Sequence, residues 1–238
     1  SDSFAVTSSD GTSQTITITI TGVNDAATIA GDTTGGATED TSDASGTATV
    51  ADTDTGQDSF TASSGSATYG TYTMATNGAW TYTLTDSNSA VQALAASATM
   101  GDSFSVTSSD GTAQTISITI TGVNDDATFG GATTGAATED TSDASGTATV
   151  ADTDTGQATF TAVSTATDSV SGYGQYTITT GGVWAYTLTD SNSAVQALAA
   201  SATMTDTFAV TSSDGTSQTI TITITGVNDD ATFGGATT

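Results

Sequence analysis

The stretch "DSFSVTSSDGTAQTISITITGVND", residues 102–125, decides the fold class. Apolar and polar residues alternate on both sides of "SSDGTA" (108–113), and a period of two is typical of half-buried β-strands. The central Asp-Gly pair favours a tight turn. The stretch therefore predicts an antiparallel hairpin that ends in a short polar linker. The residues expected to face the core are Phe104, Val106, Ile116, Ile118 and Ile120.

This hairpin sequence occurs three times in the chain. "SSDGT" begins at Ser8, Ser108 and Ser212, and "TGVND" follows each copy at the same distance. The repeat length is 100 residues and then 104, because "SSGSATYGTY" (63–72) becomes "VSTATDSVSGYGQY" (163–176). An insertion confined to one connection predicts a surface loop. A period of this size is that of one small domain.

The repeats do not start at the first residue. Residues 1–25 correspond to the end of a repeat, and residues 230–238 correspond to its beginning. We therefore expect two complete domains, 26–125 and 126–229, flanked by fragments of a preceding and a following repeat. This organisation is that of a section from a longer tandem array.

Further strands are expected within the first repeat, where short segments rich in Thr, Val and aromatic residues alternate with turn sequences. They are "GTATVA" (46–51), "SFTAS" (59–63), "TYGTYTMA" (68–75) and "AWTYTLT" (79–85). "NSAVQALAAS" (88–97) breaks the alternation and predicts a short helix or 3₁₀ turn that crosses between sheets. About seven short strands per repeat indicate an all-β fold of tandem antiparallel β-sandwiches. Further expected core residues are Val50, Phe60, Tyr72, Trp80, Tyr82, Leu84 and Leu94, with Trp184 repeating the packing role of Trp80.

The charge of the chain excludes several classes of partner. The 238 residues include no Lys, Arg or His and 26 acidic residues, giving a formal net charge of −26. A chain without basic residues cannot attract nucleic acid or an anionic membrane surface. No apolar run approaches the roughly 18 residues of a membrane span, so direct membrane insertion is not expected. Self-repulsion of this size opposes a compact state unless cations relieve it.

Metal binding is a plausible source of stability because the chain has no Cys and therefore no disulfides. The only two glutamates, Glu39 and Glu139, occupy one position in "ATEDTSDASGTATVADTDTG", which occurs at 37–56 and again at 137–156. Aspartate suits turns because its short side chain bonds to nearby backbone. Glutamate reaches further and can bind a cation with both oxygens, so its restriction to one position suggests that this reach is needed there.

The expected strand order brings acidic loops together where one repeat meets the next. Calcium takes six to eight oxygen ligands, often including a bidentate carboxylate, and we expect it at this junction. The expected ligands are Glu39, Asp40, Asp86, Asn124 and Asp125 at the lower end of the first repeat, with Asp152 and Asp154 at the upper end of the second. The preceding junction would include Asn24, Asp25, Asp52 and Asp54, and the following one Glu139, Asp140, Asp190, Asn228 and Asp229.

Other acidic residues have simpler interpretations. Asp10, Asp110 and Asp214 lie in the "SSDGT" loops, where we expect them to shape the turn. "DTDTG" (52–56) resembles the start of an EF-hand loop, but no glutamate follows at the twelfth position and no helices flank it. An EF-hand is therefore not expected.

Four segments of the first repeat resemble the VCBS repeat of large bacterial surface proteins. They are "GTATVADTDTG", "AWTYTLTDSNSAVQALAAS", "DSFSVTSSDGT" and "TISITITGVND". The resemblance implies immunoglobulin-like or cadherin-like extender domains of RTX-type adhesins, secreted to the bacterial cell surface and stiffened by calcium. The expected ligand set also resembles the cadherin layout of a glutamate, an Asn/Asp linker and a D-x-D loop. The family usually continues "ND" with Ala-Pro, whereas this chain has "NDAA" or "NDDA" and lacks the restriction that proline would give the linker.

Three functions are carried forward. The first is a structural extender repeat of an extracellular adhesin, with adjacent repeats as partners and calcium at the junctions. The second is a subunit of an extracellular filament or sheath in which copies exchange strands. The third is a glycan-binding surface module that uses the variable loop 163–176 and Tyr173. Catalysis is not expected, because the chain has no His, Cys or Lys to serve as base or nucleophile.

Overall fold

A computed structural model describes residues 1–231 and 234. The expected start of a further repeat at 230–238 lies outside the described residues except for 230, 231 and 234. Over these described residues the secondary structure comprises 18 strands and one helix. In chain order these are β1 (Asp2–Thr7), β2 (Ser13–Ile18), β3 (Thr28–Gly31), β4 (Thr34–Thr38), β5 (Ala44–Ala51), β6 (Ser63–Ser66), β7 (Gly70–Met74), β8 (Ala79–Leu84), α1 (Ser89–Gln92), β9 (Thr99–Thr107), β10 (Ala113–Thr121), β11 (Thr128–Gly131), β12 (Thr134–Thr138), β13 (Ala144–Ala151), β14 (Val163–Asp168), β15 (Gly174–Ile178), β16 (Val183–Leu188), β17 (Thr203–Thr211) and β18 (Ser217–Thr225).

The predicted all-β fold is confirmed. Each complete repeat has one five-stranded and one three-stranded sheet. The strand orders are β3-β5-β8-β7-β6 with β4-β10-β9 in the first repeat, and β11-β13-β16-β15-β14 with β12-β18-β17 in the second. The first repeat begins with two short strands in different sheets, because the chain leaves the five-stranded sheet at Gly31 and joins the three-stranded one. Gly31 has φ +77°, and a Cβ there would lie 2.8 Å from the Thr47 carbonyl oxygen.

Aromatic packing holds the two sheets of each repeat face to face. In the second repeat, Phe208 of the three-stranded sheet contacts Tyr176, Trp184 and Tyr186 of the five-stranded sheet, with ring centroids 4.3, 5.8 and 6.3 Å apart. Phe104 is surrounded in the same way in the first repeat. These contacts are those of a β-sandwich core.

Trp80 is a buried packing residue, as expected from the sequence. A Cβ on Gly35 or on Gly46 would lie 2.6 Å from its ring, so the two glycines make room for the indole. The indole Nε1–H donates to the Asp32 carbonyl oxygen at 2.7 Å. The polar atom of this large side chain is therefore satisfied inside the core.

Some sequence expectations for the fold need correction. Val50, Tyr72 and Leu94 are half-buried and not fully buried. Tyr72 still stacks on Phe104 with ring centroids 4.4 Å apart, whereas Val50 lines an open cavity of about 180 Å³ and Leu94 lies beyond the helix, outside the strands. Residues 59–62 form no strand, because Phe60 makes only an isolated bridge to Ser108 and β6 begins at Ser63. The sandwich is also not purely antiparallel.

In the second repeat, β12 pairs with β18 in parallel, with Thr134 opposite Thr221 and Thr138 opposite Thr225. The chain leaves β11 and joins the other sheet without reversing direction, and this places the end of β12 beside the end of β18. The residue after β12 is Glu139. This glutamate therefore lies at the same end of the sheet as the linker that follows β18.

The N-terminal hairpin has the sequence of a core but is exposed. Strands β1 and β2 pair from Asp2↔Ile18 to Thr7↔Ser13. Phe4 and Ile18 are 51% and 48% exposed, whereas their counterparts Phe104 and Ile118 are buried. The hairpin thus presents an apolar face without the opposing five-stranded sheet that covers its counterpart.

The chain divides into two compact units whose limits differ from those of the repeats. The first comprises Ser1–Ala37, Thr41–Thr85 and Met100–Ile120, and the second comprises Thr38–Asp40, Asp86–Thr99 and the chain from Thr121 onward. All seven residues expected at the first-to-second junction therefore fall in the second unit. The domain limits 26–125 and 126–229 stay a prediction. Within the described stretch, the helical content includes no segment with the length and hydropathy to cross a membrane.

Candidate metal site

Glu39 ties the end of β4 to the linker that follows β10. Its backbone N–H donates to the Thr121 carbonyl oxygen at 3.0 Å, and its side-chain Oε2 accepts from the Val123 N–H at 3.0 Å. The residue is fully buried. Its other oxygen, Oε1, has no hydrogen-bond partner. One glutamate oxygen therefore fixes the linker and the other is left free.

Asp40 is held beside Glu39 by the helix. Its φ of +56° is in the left-handed region, which Asp tolerates better than most residues. Gln92 of α1 donates from Nε2 to Asp40 Oδ1 at 3.0 Å. Asn88 caps the helix by accepting from the Ala90 N–H at 2.9 Å. The sequence did not reveal Gln92 as a partner of Asp40, because the two are far apart along the chain.

The loop after β13 presents Asp152 and Asp154 to the linker. Asp152 Oδ1 accepts from the Asp154 N–H at 2.8 Å, which closes a local turn. Asp154 Oδ2 accepts from the Asp125 N–H at 3.1 Å, and Gln157 donates to the same oxygen at 3.2 Å. Asp154 is only 2% exposed. The linker and this loop are therefore joined before any ion is considered.

Unpartnered carboxylate oxygens are concentrated on the expected ligands. Among the residues that the structure describes, seven buried side-chain oxygen atoms lack a hydrogen-bond partner, and six of them belong to carboxylates. The six are Glu39 Oε1, Asp52 Oδ2, Asp125 Oδ2, Glu139 Oε1, Asp152 Oδ2 and Asp154 Oδ1. A buried carboxylate oxygen without a partner costs free energy. All six belong to residues predicted as calcium ligands.

The electrostatics at this cluster oppose full ionisation. Burial raises the pKa of Glu39, the Val123 hydrogen bond acts against it, and the negative charges of Asp125, Asp40 and Asp154 raise it further. Burial also raises the pKa of Asp125, followed by the charge of Asp154 and of other acidic neighbours. No Lys, Arg or His exists in the chain to balance them. A bound cation would remove both penalties.

The carboxylates are near one another without forming a finished coordination shell. Over 1–231 and 234, no three acidic side chains stand in the geometry of an assembled metal centre. Ligation would draw them closer around the ion. An all-oxygen donor set with free buried oxygens fits a hard divalent cation such as calcium. By their chemistry, the residues present therefore fit the expected metal.

Two of the expected ligands have weaker support. Asn124 Nδ2 donates to the Asp125 carbonyl oxygen at 3.1 Å, which leaves its amide oxygen free. Asp86 begins the segment Asp86–Thr99 of the second unit, yet the described hydrogen bonds do not connect it to the cluster. In the second repeat, the corresponding Asp190 Oδ1 accepts from the Asp140 N–H at 3.2 Å.

The expected preceding junction is represented by its upper half. Asp54 Oδ2 accepts from the Asp25 N–H at 2.8 Å, and Asp52 Oδ1 accepts from the Asp54 N–H at 2.8 Å. Asn24 Nδ2 donates to the Asp25 carbonyl oxygen at 3.2 Å. These bonds match those of the complete cluster, so the linker and the D-x-D loop form one preorganised half.

The expected following junction is represented by its lower half. The Glu139 N–H donates to the Thr225 carbonyl oxygen at 3.0 Å, and Glu139 Oε2 accepts from the Val227 N–H at 2.9 Å. Gln196 donates to Asp140 Oδ1 at 3.2 Å. Asn228 Nδ2 donates to the Asp229 carbonyl oxygen at 3.1 Å. The hydrogen bonds that Glu39 makes to the backbone are therefore repeated at Glu139.

The "SSDGT" aspartates shape their loops, as expected. The Asp110 side chain accepts from the Thr112 N–H at 3.0 Å and from the Thr112 hydroxyl at 2.7 Å. The hydrogen bond from Ser108 is the largest cause of a pKa well below the usual value for Asp110. Asp110 also accepts from the Ala27 N–H at 2.9 Å. Both carboxylate oxygens of Asp110, and both of Asp214, accept from protein donors.

Sequence reasoning missed a second set of buried acidic residues. Asp102 Oδ2 accepts from the Tyr82 hydroxyl at 2.7 Å and from the Tyr69 N–H at 2.8 Å. Asp206 occupies the corresponding position and accepts from the Tyr186 hydroxyl at 2.8 Å. The alternation that placed Phe104 toward the core also places Asp102 there, so the signal was present. These residues anchor loops, and no described hydrogen bond connects them to the metal cluster.

The variable loop gives little support to glycan binding. Tyr173 packs partly buried against the core of the second repeat. The Val170 N–H donates to the Thr207 carbonyl oxygen at 2.8 Å, which fastens the inserted loop to the edge of β17. Glycan contact by this loop stays a prediction.

Comparison with known families gives one match. Residues 24–122 match the family described as the bacterial cadherin-like domain. This match supports a relationship between the chain and a cadherin-like family. The narrower VCBS resemblance stays a prediction. A comparison with curated protein sequences gave no match.

Solved structures similar to the chain include cadherin ectodomains. Protocadherin gamma B2 extracellular cadherin domains 1–5 has 12% identity and a TM-score of 0.48, over 92% of this chain and 44% of that one. The human desmocollin-1 ectodomain has 14% identity and a TM-score of 0.47, over 94% and 47%. Mouse clustered PcdhgC3 EC1-3 has 12% identity and a TM-score of 0.47, over 95% and 77%. The chain thus spans less than half the length of the first two structures.

Proposed function

We propose that the two repeats are extender domains of a large adhesin on the bacterial cell surface, and that calcium bound at the junctions between repeats makes the array rigid. The cadherin-like match over 24–122 supports an extracellular adhesive or structural role. The direct partners are the adjacent repeats of the same chain. The charge of −26 without any basic residue argues against nucleic acid as a partner.

One observation carries the calcium part of this proposal. Glu39, Asp125, Asp152 and Asp154 each keep a buried carboxylate oxygen without a hydrogen-bond partner. They come from three separate parts of the chain, the end of β4, the linker and the loop after β13. Buried carboxylate oxygens with a structural role are normally hydrogen-bonded. A carboxylate that binds a metal instead keeps an oxygen free for the cation.

Each residue of the proposed site would have a separate role. Glu39 would bind through Oε1 while Oε2 keeps the linker in place through Val123. Asp125 and Asp154 would contribute the oxygens that their mutual hydrogen bond leaves free. Calcium would supply positive charge, and every other contact would come from side chains already positioned by backbone hydrogen bonds.

The consequence for the array follows from linkage. A cation that binds only the folded junction stabilises it by about 2.7 kcal/mol at a hundredfold excess over its dissociation constant. It also removes the repulsion among the carboxylates. A stiff junction keeps neighbouring repeats in line, so that the length of the array increases with each repeat. An extender needs this property. An extender role requires no catalysis, and we propose no enzymatic activity for the two repeats.

Thermal unfolding tests the proposal. The protein would be unfolded in millimolar calcium and in chelator, with magnesium at the same concentration and NaCl at matched ionic strength as controls. We expect a rise of several degrees that calcium produces and magnesium does not, since magnesium demands stricter geometry. Equal shifts with all salts would mean that the acids only need screening. Small-angle scattering should show a longer particle with calcium, and an unchanged length would contradict the role in rigidity.

The second candidate function, a subunit of an extracellular filament or sheath in which copies exchange strands, stays a proposal. Light scattering over a range of protein concentrations tests this candidate. Growth of polymers with concentration would support it, and a constant monomer mass would remove it.

A further inference from the structure

The loop that carries Asp152 and Asp154 also makes a backbone-to-backbone contact. The Thr155 N–H donates to the Ala93 carbonyl oxygen at 3.1 Å. Ala93 is the C-terminal cap of α1. Both residues belong to the second compact unit. The segment Ala93–Ala98, called here the bracket, thus touches the D-T-D-T-G loop of the following repeat.

The bracket is also fastened to the start of the linker. The Gly122 N–H donates to the Ala98 carbonyl oxygen at 2.8 Å, and the Ser97 N–H donates to the Gly122 carbonyl oxygen at 3.1 Å. A Cβ on Gly122 would lie 2.4 Å from the Leu94 carbonyl oxygen, so the glycine permits this close approach. The bracket therefore contacts both the linker and the loop, the two parts that present Asp125 and Asp154.

The second repeat repeats the contacts between the bracket and the linker. Residues 85–100 and 189–204 are identical in sequence. Gly226 is fastened to Ser201 and Ala202 by the same two hydrogen bonds, at 3.0 and 2.9 Å. The residues equivalent to α1 form a series of turns in the second repeat, whereas Ser89–Gln92 is helical.

We propose that the bracket is a docking site for the D-T-D-T-G loop of the next repeat, and that this contact persists without a cation. Its role rests on the proposed function, because it would hold the loop and the linker together before calcium binds. Calcium would then stiffen a junction that is already aligned. The bracket directly follows α1, whose Gln92 donates to Asp40.

Amide hydrogen exchange measured by NMR in chelator tests the contact directly. Thr55 is a built-in control, since it has the same neighbours, Asp-Thr-Gly, as Thr155. The Thr55 N–H makes no backbone hydrogen bond among those described, whereas the Thr155 N–H does. We expect Thr155 to exchange at least about tenfold more slowly than Thr55. Equal rates in chelator would overturn the proposal.

A matched pair of variants tests the dependence on α1. Asn88→Ala removes the cap of α1, and Asn192→Ala removes the equivalent contact in the second repeat, where both side chains accept at 2.9 Å. Asn88→Ala should accelerate Thr155 exchange about fivefold, and Asn192→Ala should leave it unchanged. No change in Asn88→Ala, or an equal change in both, would overturn the proposal. Calcium titration of the wild-type sample tests the proposed function separately, because the exchange comparison contains no calcium.

Discussion

Glu39 Oε2 accepts a hydrogen bond from the Val123 N–H at 3.0 Å, and Glu139 makes the same bond to Val227 at 2.9 Å. In both cases Oε1 remains buried and unpartnered. This pairing explains why the two glutamates occupy one repeated position. One oxygen must reach the linker backbone while the other stays available, and aspartate is shorter by one methylene.

Removing the charge of Glu39 should weaken calcium binding. Glu39→Gln keeps the length of the side chain and an acceptor for Val123, but it loses the negative charge that a divalent cation requires. We expect calcium affinity at the complete cluster to fall at least about tenfold, or ~1.4 kcal/mol. Isothermal titration calorimetry measures the change.

Glu139→Gln is the matched control for this variant. Glu139 has the same backbone contacts as Glu39, but its described surroundings contain no D-x-D loop. The affinity of the strongest calcium site should therefore stay within about twofold of wild type. If both variants lost affinity equally, the tight site would not be at Glu39.

The sequence predicted the sandwich because the apolar–polar alternation, the turn sequences and the repeat length all indicate the same fold. Alternation placed Phe104 and Ile118 on one face, and the structure buries both. It could not separate β3 from β4, because the change of sheet occurs at Gly31 and depends on a close approach to Thr47. Alternation also cannot show that Phe60 pairs with Ser108 only as an isolated bridge.

The candidate site was predicted in part for the same reason. Glu39, Asp125 and Asp154 could be grouped by strand direction alone. The role of Gln92 could not, since it depends on where a short helix lies relative to Asp40. Asp102 was overlooked because acidic residues were expected in loops.

Gly122→Ala should destabilise the protein without changing any charge. A Cβ at this position would lie 2.4 Å from the Leu94 carbonyl oxygen and 2.6 Å from that of Ala95. Because these are backbone atoms, the bracket would have to move, at a cost of about 1–3 kcal/mol in the free energy of unfolding. Urea unfolding in chelator measures the loss.

Gly22→Ala provides the control, since it lies in the same "TGVND" sequence but has nothing within 4 Å of its Cβ position. It should be neutral to within about 0.5 kcal/mol. Equal destabilisation by both substitutions would show that the effect comes from the backbone propensity of glycine and not from contact with the bracket.

Asp206 should make stability depend on pH. Burial alone would raise its pKa, but hydrogen bonds from Ser169, the Ser171 N–H and Tyr186 outweigh it, and the net pKa is lowered. The carboxylate therefore stabilises the fold above its unfolded pKa of about 4, and this contribution is lost as pH falls toward the folded value. Asp206→Asn should cost about 1–3 kcal/mol at pH 7.

The difference between wild type and Asp206→Asn should shrink as the pH is lowered from 7 to 3, measured by urea unfolding at each pH. Asp168→Asn is a control, since Asp168 is exposed and accepts only from Gln175. A difference that stays constant with pH would contradict the lowered pKa.

Shortening the glutamate separates its two roles. Glu39→Asp and Glu139→Asp each keep the charge but should lose the hydrogen bond to the linker, which is worth about 1.5–3 kcal/mol for a charged acceptor. Both variants should therefore lower thermal stability in chelator to a similar extent. Only Glu39→Asp should also reduce the calcium-induced rise in melting temperature, because only Glu39 lies beside Asp125 and Asp154. If Glu39→Asp kept the full calcium response, the reach of glutamate would matter to the linker alone, and the ion would have to be held by the aspartates.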